Sequence, residues 1–444
     1  MKKLAWVLTL IAAIFLVSNC ENPVQGYILT NLYGPKYNLE VEKLTVAGAI
    51  DFGFSVDTYG DYIIVGAPAD KNNTTVEEKA YIYHRTGVDS WEGPFALSLP
   101  ADYVKGDRFG YSVSIYGDFA AVGAIDKSVN GKPNAGAVYI YRKKAGTVNQ
   151  WEEVKKLTKA DQTGSTVYPV TGNEEFGRSV KLYNNWLLVG APYDGFDGSG
   201  SDLGAVYRFK YNGSDWQYDY FFSRNTVLDG ANFGMAIDVN SSYAVIGARG
   251  EDINGKSNVG SVYIYSFNND KFEFKEKISN TAYYTGNDDF FGGSLSLSGD
   301  FLAVGVAGAI VNDIFIAGQV QVYMLENGSW NSTPALLQLP EPAAYDFFGF
   351  PVALKQTAEG DYILLAGCID RDNGDLADAG AVYIYTNPGG TNTWTLQKEL
   401  RASDSSANAY FGNSIALGDE YAIVGASTLR DDTVFENGRV YIFR

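Results

Sequence analysis

DRFGYSVSIYGDFAAVGAIDKSVNGKPNAGAVYIY, residues Asp107 to Tyr141, decides the fold, because the chain restates it with variations seven times. A Phe-Gly pair opens each copy: Phe52-Gly53, Phe109-Gly110, Phe176-Gly177, Phe233-Gly234, Phe291-Gly292, Phe348-Gly349 and Phe411-Gly412. A second glycine follows at a fixed distance, at Gly66, Gly123, Gly190, Gly247, Gly305 and Gly425; in the sixth copy an insertion over Gln356 to Gly360 moves it to Gly367. A loop rich in Gly, Asn and Asp then leads to a β-branched and aromatic run: Ala80–Tyr83, Val138–Tyr141, Val206–Phe209, Val262–Tyr265, Val320–Tyr323, Val382–Tyr385 and Val440–Phe443. Self-similarity at a period of about 60 residues marks a repeat architecture.

Each copy ends in a segment that alternates apolar and charged residues, as in Trp151-Glu152-Glu153-Val154-Lys155-Lys156-Leu157. That pattern suits a strand with one solvated face, the outermost of a blade. Every unit therefore has four strands, except that the seventh copy reaches only its third, Val440–Phe443. Tyr37 to Thr45 carries the pattern of a fourth strand with no copy before it. Joining the two predicts an all-β, seven-bladed β-propeller of four-stranded antiparallel blades over residues 37–444, its ring closed by the N-terminal strand, with no exposed sheet edge. The tyrosines of the third strands are then expected to pack between blades.

Composition agrees. Aromatic residues make up 14% of the chain and it has 49 glycines, which favours short strands and tight turns over helices. The formal charge is −18, and −20 if Lys2 and Lys3 leave with a leader, so the surface repels nucleic-acid phosphate and anionic lipid. Two cysteines, Cys20 and Cys368, make no disulfide framework. The single histidine, His84, is the one available centre for a Ser-His-Asp triad, and its place after Tyr81-Ile82-Tyr83 reads as a strand end. No catalytic residue is assigned and no enzyme activity is expected.

Lys2 and Lys3 precede an apolar run, Leu4 to Val17, of the length of a signal-peptide core and short of a stable bilayer span. Residues 1–19 are read as a lipoprotein-type signal peptide and 20–36 as a tether. Val17-Ser18-Asn19-Cys20 resembles a bacterial lipobox, which would make Cys20 the lipidated first residue of a mature envelope lipoprotein at the outer membrane or cell surface. Asn19 departs from the usual Gly or Ala, and ordinary cleavage releasing a periplasmic or secreted protein is the other reading.

Phe-Gly followed by Gly-Ala-Pro, whole at Gly66-Ala67-Pro68 and Gly190-Ala191-Pro192, resembles the FG-GAP repeat of integrin α-subunit β-propellers and of many exported bacterial proteins. The resemblance implies a propeller used for binding or adhesion. In integrins several copies carry an Asp-x-Asp-x-Asp-Gly calcium loop between the first two strands; here that interval is a tight turn such as Tyr59-Gly60-Asp61, with too few carboxylates. Carboxylates collect instead after the second strand. Asp370, Asp372 and Asp375 alternate with a glycine turn, and two readings stay open for them: a solvated turn, or a calcium site without a terminal Glu.

If the strands of a blade alternate in direction, the loops after second strands and the connectors into the next Phe-Gly leave on one face. The connectors carry Tyr103, Tyr168, Tyr283, Tyr284, Tyr345 and Tyr410, with Asp288, Asp289 and Asp346 beside them. Tyrosine among acids suits a recognition surface, though the same rings would also plug gaps between blades. The expectation is a monomeric binding or adhesion module, attached to membrane only through its lipid, that takes a protein or glycan ligand on this face. An envelope hydrolase acting on glycans or phosphoesters, and a structural subunit of an envelope complex, are the alternatives.

Overall fold

A computed structural model describes residues 37–69, 76–163, 168–195, 202–222, 230–268, 271–283, 285–427 and 437–444. Seven antiparallel sheets follow one another along the chain, each ordered from an inner strand to an outer one. Blade 2 has the strands Phe109–Tyr116, Phe119–Ala124, Ala137–Lys143 and Trp151–Leu157. In blade 5 the outer strand is split into Ser329–Trp330 and Ala335–Leu337, with Pro334, which has no N–H to donate, in the gap. Blade 7 is completed as the sequence predicts: Glu40–Leu44 lies antiparallel on Arg439–Phe443, with Lys43 opposite Tyr441.

Period-two alternation drives the blades together. In blade 1, Ile64 and Ile82 face Val113, Val122 and Tyr139 of blade 2, while Ile63 and Val65 face Ile423, Val440 and Ile442 of blade 7. Both faces of a sheet are thus buried, and each fully buried aliphatic side chain contributes about 1.5–3 kcal/mol. All seven Phe-Gly phenylalanines have 0% exposure, so they cannot be ligand contacts. Their rings pack against third-strand aromatics of their own blade, as Phe109 does at 5.9 Å from Tyr139 and Phe411 at 5.3 Å from Tyr441. Third-strand tyrosines therefore serve both the blade interior and the interface, and several fix a loop with the hydroxyl: Tyr139 donates to Asp102 at 2.9 Å and Tyr263 to Glu251 at 2.6 Å.

The second glycine has a steric cause. A Cβ on Gly66 would lie 2.0 Å from the Gly110 carbonyl oxygen of the next blade, and the contact recurs around the ring, from Gly123 to Gly177 (2.3 Å), and finally from Gly425 back to Gly53 (2.1 Å). Backbone meets backbone here, so neither side can yield by rotating a side chain. Gly123→Ala is accordingly expected to destabilise by about 3 kcal/mol, at the upper end of overpacking costs. Gly117, whose Cβ would meet nothing within 4 Å but whose φ is +60°, is the control. Gly117→Ala should cost only about 1 kcal/mol of backbone strain; equal melting temperatures for the two variants would refute the close-packing account.

Inner strands have a free edge toward the axis, and side chains of the adjoining blades satisfy much of it. Ser55, Ser112, Ser179 and Ser414 Oγ donate to the carbonyls of Gly110, Gly177, Gly234 and Gly53. Asp57 accepts from Ser114 Oγ (2.8 Å) and Ile115 N (3.0 Å), and Asp238 from Leu297 N (2.8 Å). Pairing of this kind leaves less backbone open to strand addition.

Candidate functional site

The loops after second strands and the connectors into the next blade do leave on one face, where backbone hydrogen bonds join them. Glu175 N and Phe176 N donate to Asn134 O and Ala135 O, and the same pair of bonds links Phe290 and Phe291 to Asn258 and Val259. Phe347 and Phe348 repeat it with Ile316 and Ala317. The residue before each Phe-Gly is left-handed in all seven copies: Asp51, Arg108, Glu175, Asn232, Phe290, Phe347 and Tyr410 have φ between 48° and 57°. Such a conformation is strained for side chains as bulky as Phe and Tyr, and it persists because the zipped loops enforce it.

The tyrosines on this face divide. Tyr345 is 54% exposed. Its ring lies 5.6 Å, edge to face, from Phe315, which is 51% exposed, and Tyr345 N donates to Phe315 O at 3.1 Å. Tyr103 is half-buried against the core between blades 1 and 2, Tyr168 is half-buried beside Phe221 at 5.1 Å, Tyr283 is half-buried, and Tyr410 is buried. Tyr284 lies outside the described residues, as does Cys20.

Two of the three rim acids are not on the rim. Asp289 is fully buried, accepting from Asn280 Nδ2, Thr285 N and Thr285 Oγ1; burial pushes its carboxyl up. Asp346 is also buried, between Ala343 N at 2.6 Å and Arg371 at 2.7 Å, and burial again raises its carboxyl although both partners pull it down. Both sit two residues before a Phe-Gly phenylalanine, where Asp107 and Glu174 play the same part with Val104 N and Thr171 N. Asp288 alone is exposed, accepting from Asn258 Nδ2 at 2.7 Å.

Asp370, Asp372 and Asp375 belong to a small hairpin in which Asn373 pairs with Leu376. Asp372 accepts from Asp378 N at 3.1 Å, as Asp252 does from Asn258 N in blade 4. Among the described residues no three of His, Cys, Asp and Glu stand close enough together to hold a metal ion. Cys368 is a buried strand residue whose thiol is pushed up by burial, away from reactivity.

At the axis on the loop face is a cavity of about 290 Å³. The residue after each Phe-Gly lines it: Phe54, Tyr111, Met235 and Phe350 supply apolar wall, Arg178 and Asn413 polar groups, and Gly293 a gap. Arg249, which follows Gly247-Ala248, adds a second guanidinium. A recess of about 210 Å³ opens beside it, walled by Phe290, Phe347 and Ala307 and sharing Arg249, Gly293 and Phe350. The opposite end of the propeller holds the tight turns, with Tyr59, Tyr116 and Tyr183 stacked at 4.3 and 5.4 Å between ring centres.

The FG-GAP repeat family model matches residues 46–83, 99–141, 151–209, 227–265 and 394–443, more than half of the chain. The chain belongs to the FG-GAP repeat family. Its propeller is the fold expected from the repeats, and such a fold is consistent with a binding or adhesion module. No curated protein matches the chain. Sequence reading missed Phe315, Arg178 and Arg249; only the arginines had a signal, their register, since each occupies a position that recurs once per blade.

Proposed function

We propose that this FG-GAP propeller is an exported binding or adhesion module, anchored through lipid on Cys20, that captures a protein or glycan ligand on its loop face. The observation that carries the reading is the Phe315–Tyr345 pair, two half-exposed rings from adjacent blades tied by a backbone hydrogen bond. Rigid exposed aromatics give large contact area with little entropy left to lose, and their truncation at an interface typically costs about 2 kcal/mol or more.

Phe315→Ala with Tyr345→Ala is therefore expected to weaken capture from envelope extract at least tenfold while leaving the melting temperature within about 2 °C, the rings being outside the core. The same preparation, fractionated with Cys20→Ser alongside, should show the variant moving from membrane to soluble fraction. Capture that survives the Phe315/Tyr345 change but is lost on Tyr59→Ala, Tyr116→Ala and Tyr183→Ala would put function on the opposite face. Unaltered membrane association of Cys20→Ser would remove the lipid anchor from the reading.

A further inference from the structure

We propose that the axial cavity is a binding site for a carboxylate whose body is a compact apolar group, the carboxylate meeting Arg249 and the body entering the recess beside it. This rests on the reading that the loop face is the functional one.

The charge pattern points to an anion. In a chain of formal charge −18, two arginines line one cavity. Arg178 is paired with Glu175 and stacks over Tyr111 and Tyr193. Arg249 faces Tyr193, Tyr111 and Arg178 and lies 5.6 Å over the Phe290 ring, with no salt bridge to a carboxylate among the described residues; burial lowers its guanidinium and Arg178 adds to that. The charges of Arg178 and Glu175 offset one another, leaving one guanidinium without a carboxylate partner among the described residues. A monoanion fits that balance, and a guanidinium offers a carboxylate two parallel N–H donors. A phosphate dianion would be left half neutralised.

The walls specify the rest of the ligand. The recess is bounded mainly by Phe290, Phe347, Phe350 and Ala307; besides the shared Arg249 its one polar side chain is Ser294, whose hydroxyl already accepts from Val352 N at 2.8 Å. Its volume of about 210 Å³ exceeds the roughly 150 Å³ of an apolar cavity that takes up benzene, so one ring or a short branched chain fits. The opening exists because blade 5 has Gly293 where other blades have Phe54, Tyr111, Met235 or Phe350.

The test is calorimetric titration of the full chain with benzoate, acetate, benzamide, glucuronate and inorganic phosphate. Benzoate is expected to bind, and each of the others at least tenfold more weakly, lacking the body, the charge, the apolar surface or the matching charge. Arg249→Gln should reduce benzoate affinity at least tenfold. Gly293→Met should abolish binding by filling the recess; its φ is not in the left-handed region, and the new Cβ would stand 3.1 Å from Phe290 O and 3.4 Å from Arg249 Cδ. Should Gly293→Met fail to fold, Gly293→Ala, expected to weaken binding threefold or more, replaces it. No benzoate binding, or wild-type affinity in both Arg249→Gln and the folded Gly293 variant, would overturn the proposal. Glucuronate or phosphate binding as tightly as benzoate would do so too. If the carboxylates fail while Phe315→Ala with Tyr345→Ala still abolishes capture, the cavity loses its assignment and the loop-face reading stands.

Discussion

Deleting residues 37–45 is expected to turn a monodisperse protein into one that aggregates and melts well below the parent. The deletion removes Glu40–Leu44 from Arg439–Phe443 and with it the buried side chains of Tyr37 and Leu44. At about 1.5–3 kcal/mol for each apolar side chain, the burial term alone is about 3–6 kcal/mol, a large part of a domain's net stability. What remains is worse than a loss of burial, because the third strand of blade 7 then presents its backbone N–H and C=O groups to any other open strand. Size-exclusion chromatography and thermal melting read both effects, and a peptide of residues 37–45 added in trans should restore part of each. A truncated protein that elutes as a monomer with an unchanged melting temperature would show that the ring does not depend on this strand.

Lys159→Met should be the most damaging single side-chain change on the loop face. Lys159 Nζ lies fully buried, 2.6 Å from Asp194 and 3.3 Å from Glu174, both of which are also inaccessible, and Tyr207 Oη donates to Asp194 as well. Taking the cation from a buried pair leaves carboxylates with no counter-charge, which typically costs about 3–5 kcal/mol. The pH dependence has a definite sign. Burial already raises the Asp194 carboxyl, more than Lys159 and Tyr207 lower it, so the folded state holds that proton more firmly than the unfolded chain does. Stability from this group is therefore complete below the unfolded value of about 3.9 and falls as pH rises through the raised one. Without Lys159 that rise grows. The gap in melting temperature between Lys159→Met and wild type should be widest near pH 7 and narrow on acidification; a gap independent of pH would mean that the lost side chain matters only for packing.

What could be read from the sequence was whatever the repeat restates. Seven Phe-Gly pairs, the second glycines and the spare strand at Tyr37–Thr45 led to the blade number and the closure because each rests on comparing copies, with no need for contact geometry. The direction of the strands then put Tyr345 and Asp288 on one face. Side-chain depth was not accessible in that way. An aspartate in a connector looks the same whether it meets solvent, as Asp288 does, or closes its own loop and is buried, as Asp289 and Asp346 are. Their register, two residues before the phenylalanine and shared with Asp107 and Glu174, held the difference. The Phe315–Tyr345 pair had no local signature, since its rings come from separate blades and meet only when the loops are zipped together.

The seam in blade 7 also bears on the order in which the chain can assemble. Lys43 faces Tyr441 and Leu39 exchanges two backbone hydrogen bonds with Arg444, so a strand made early waits for one made much later along the chain. The entropy of closing a loop grows only with the logarithm of its length, about 0.6 kcal/mol per doubling, so so long a separation takes little from equilibrium stability. It bears on time instead: long-range pairing slows folding, and until Arg439–Phe443 emerges the nascent ring has an open sheet edge at each end.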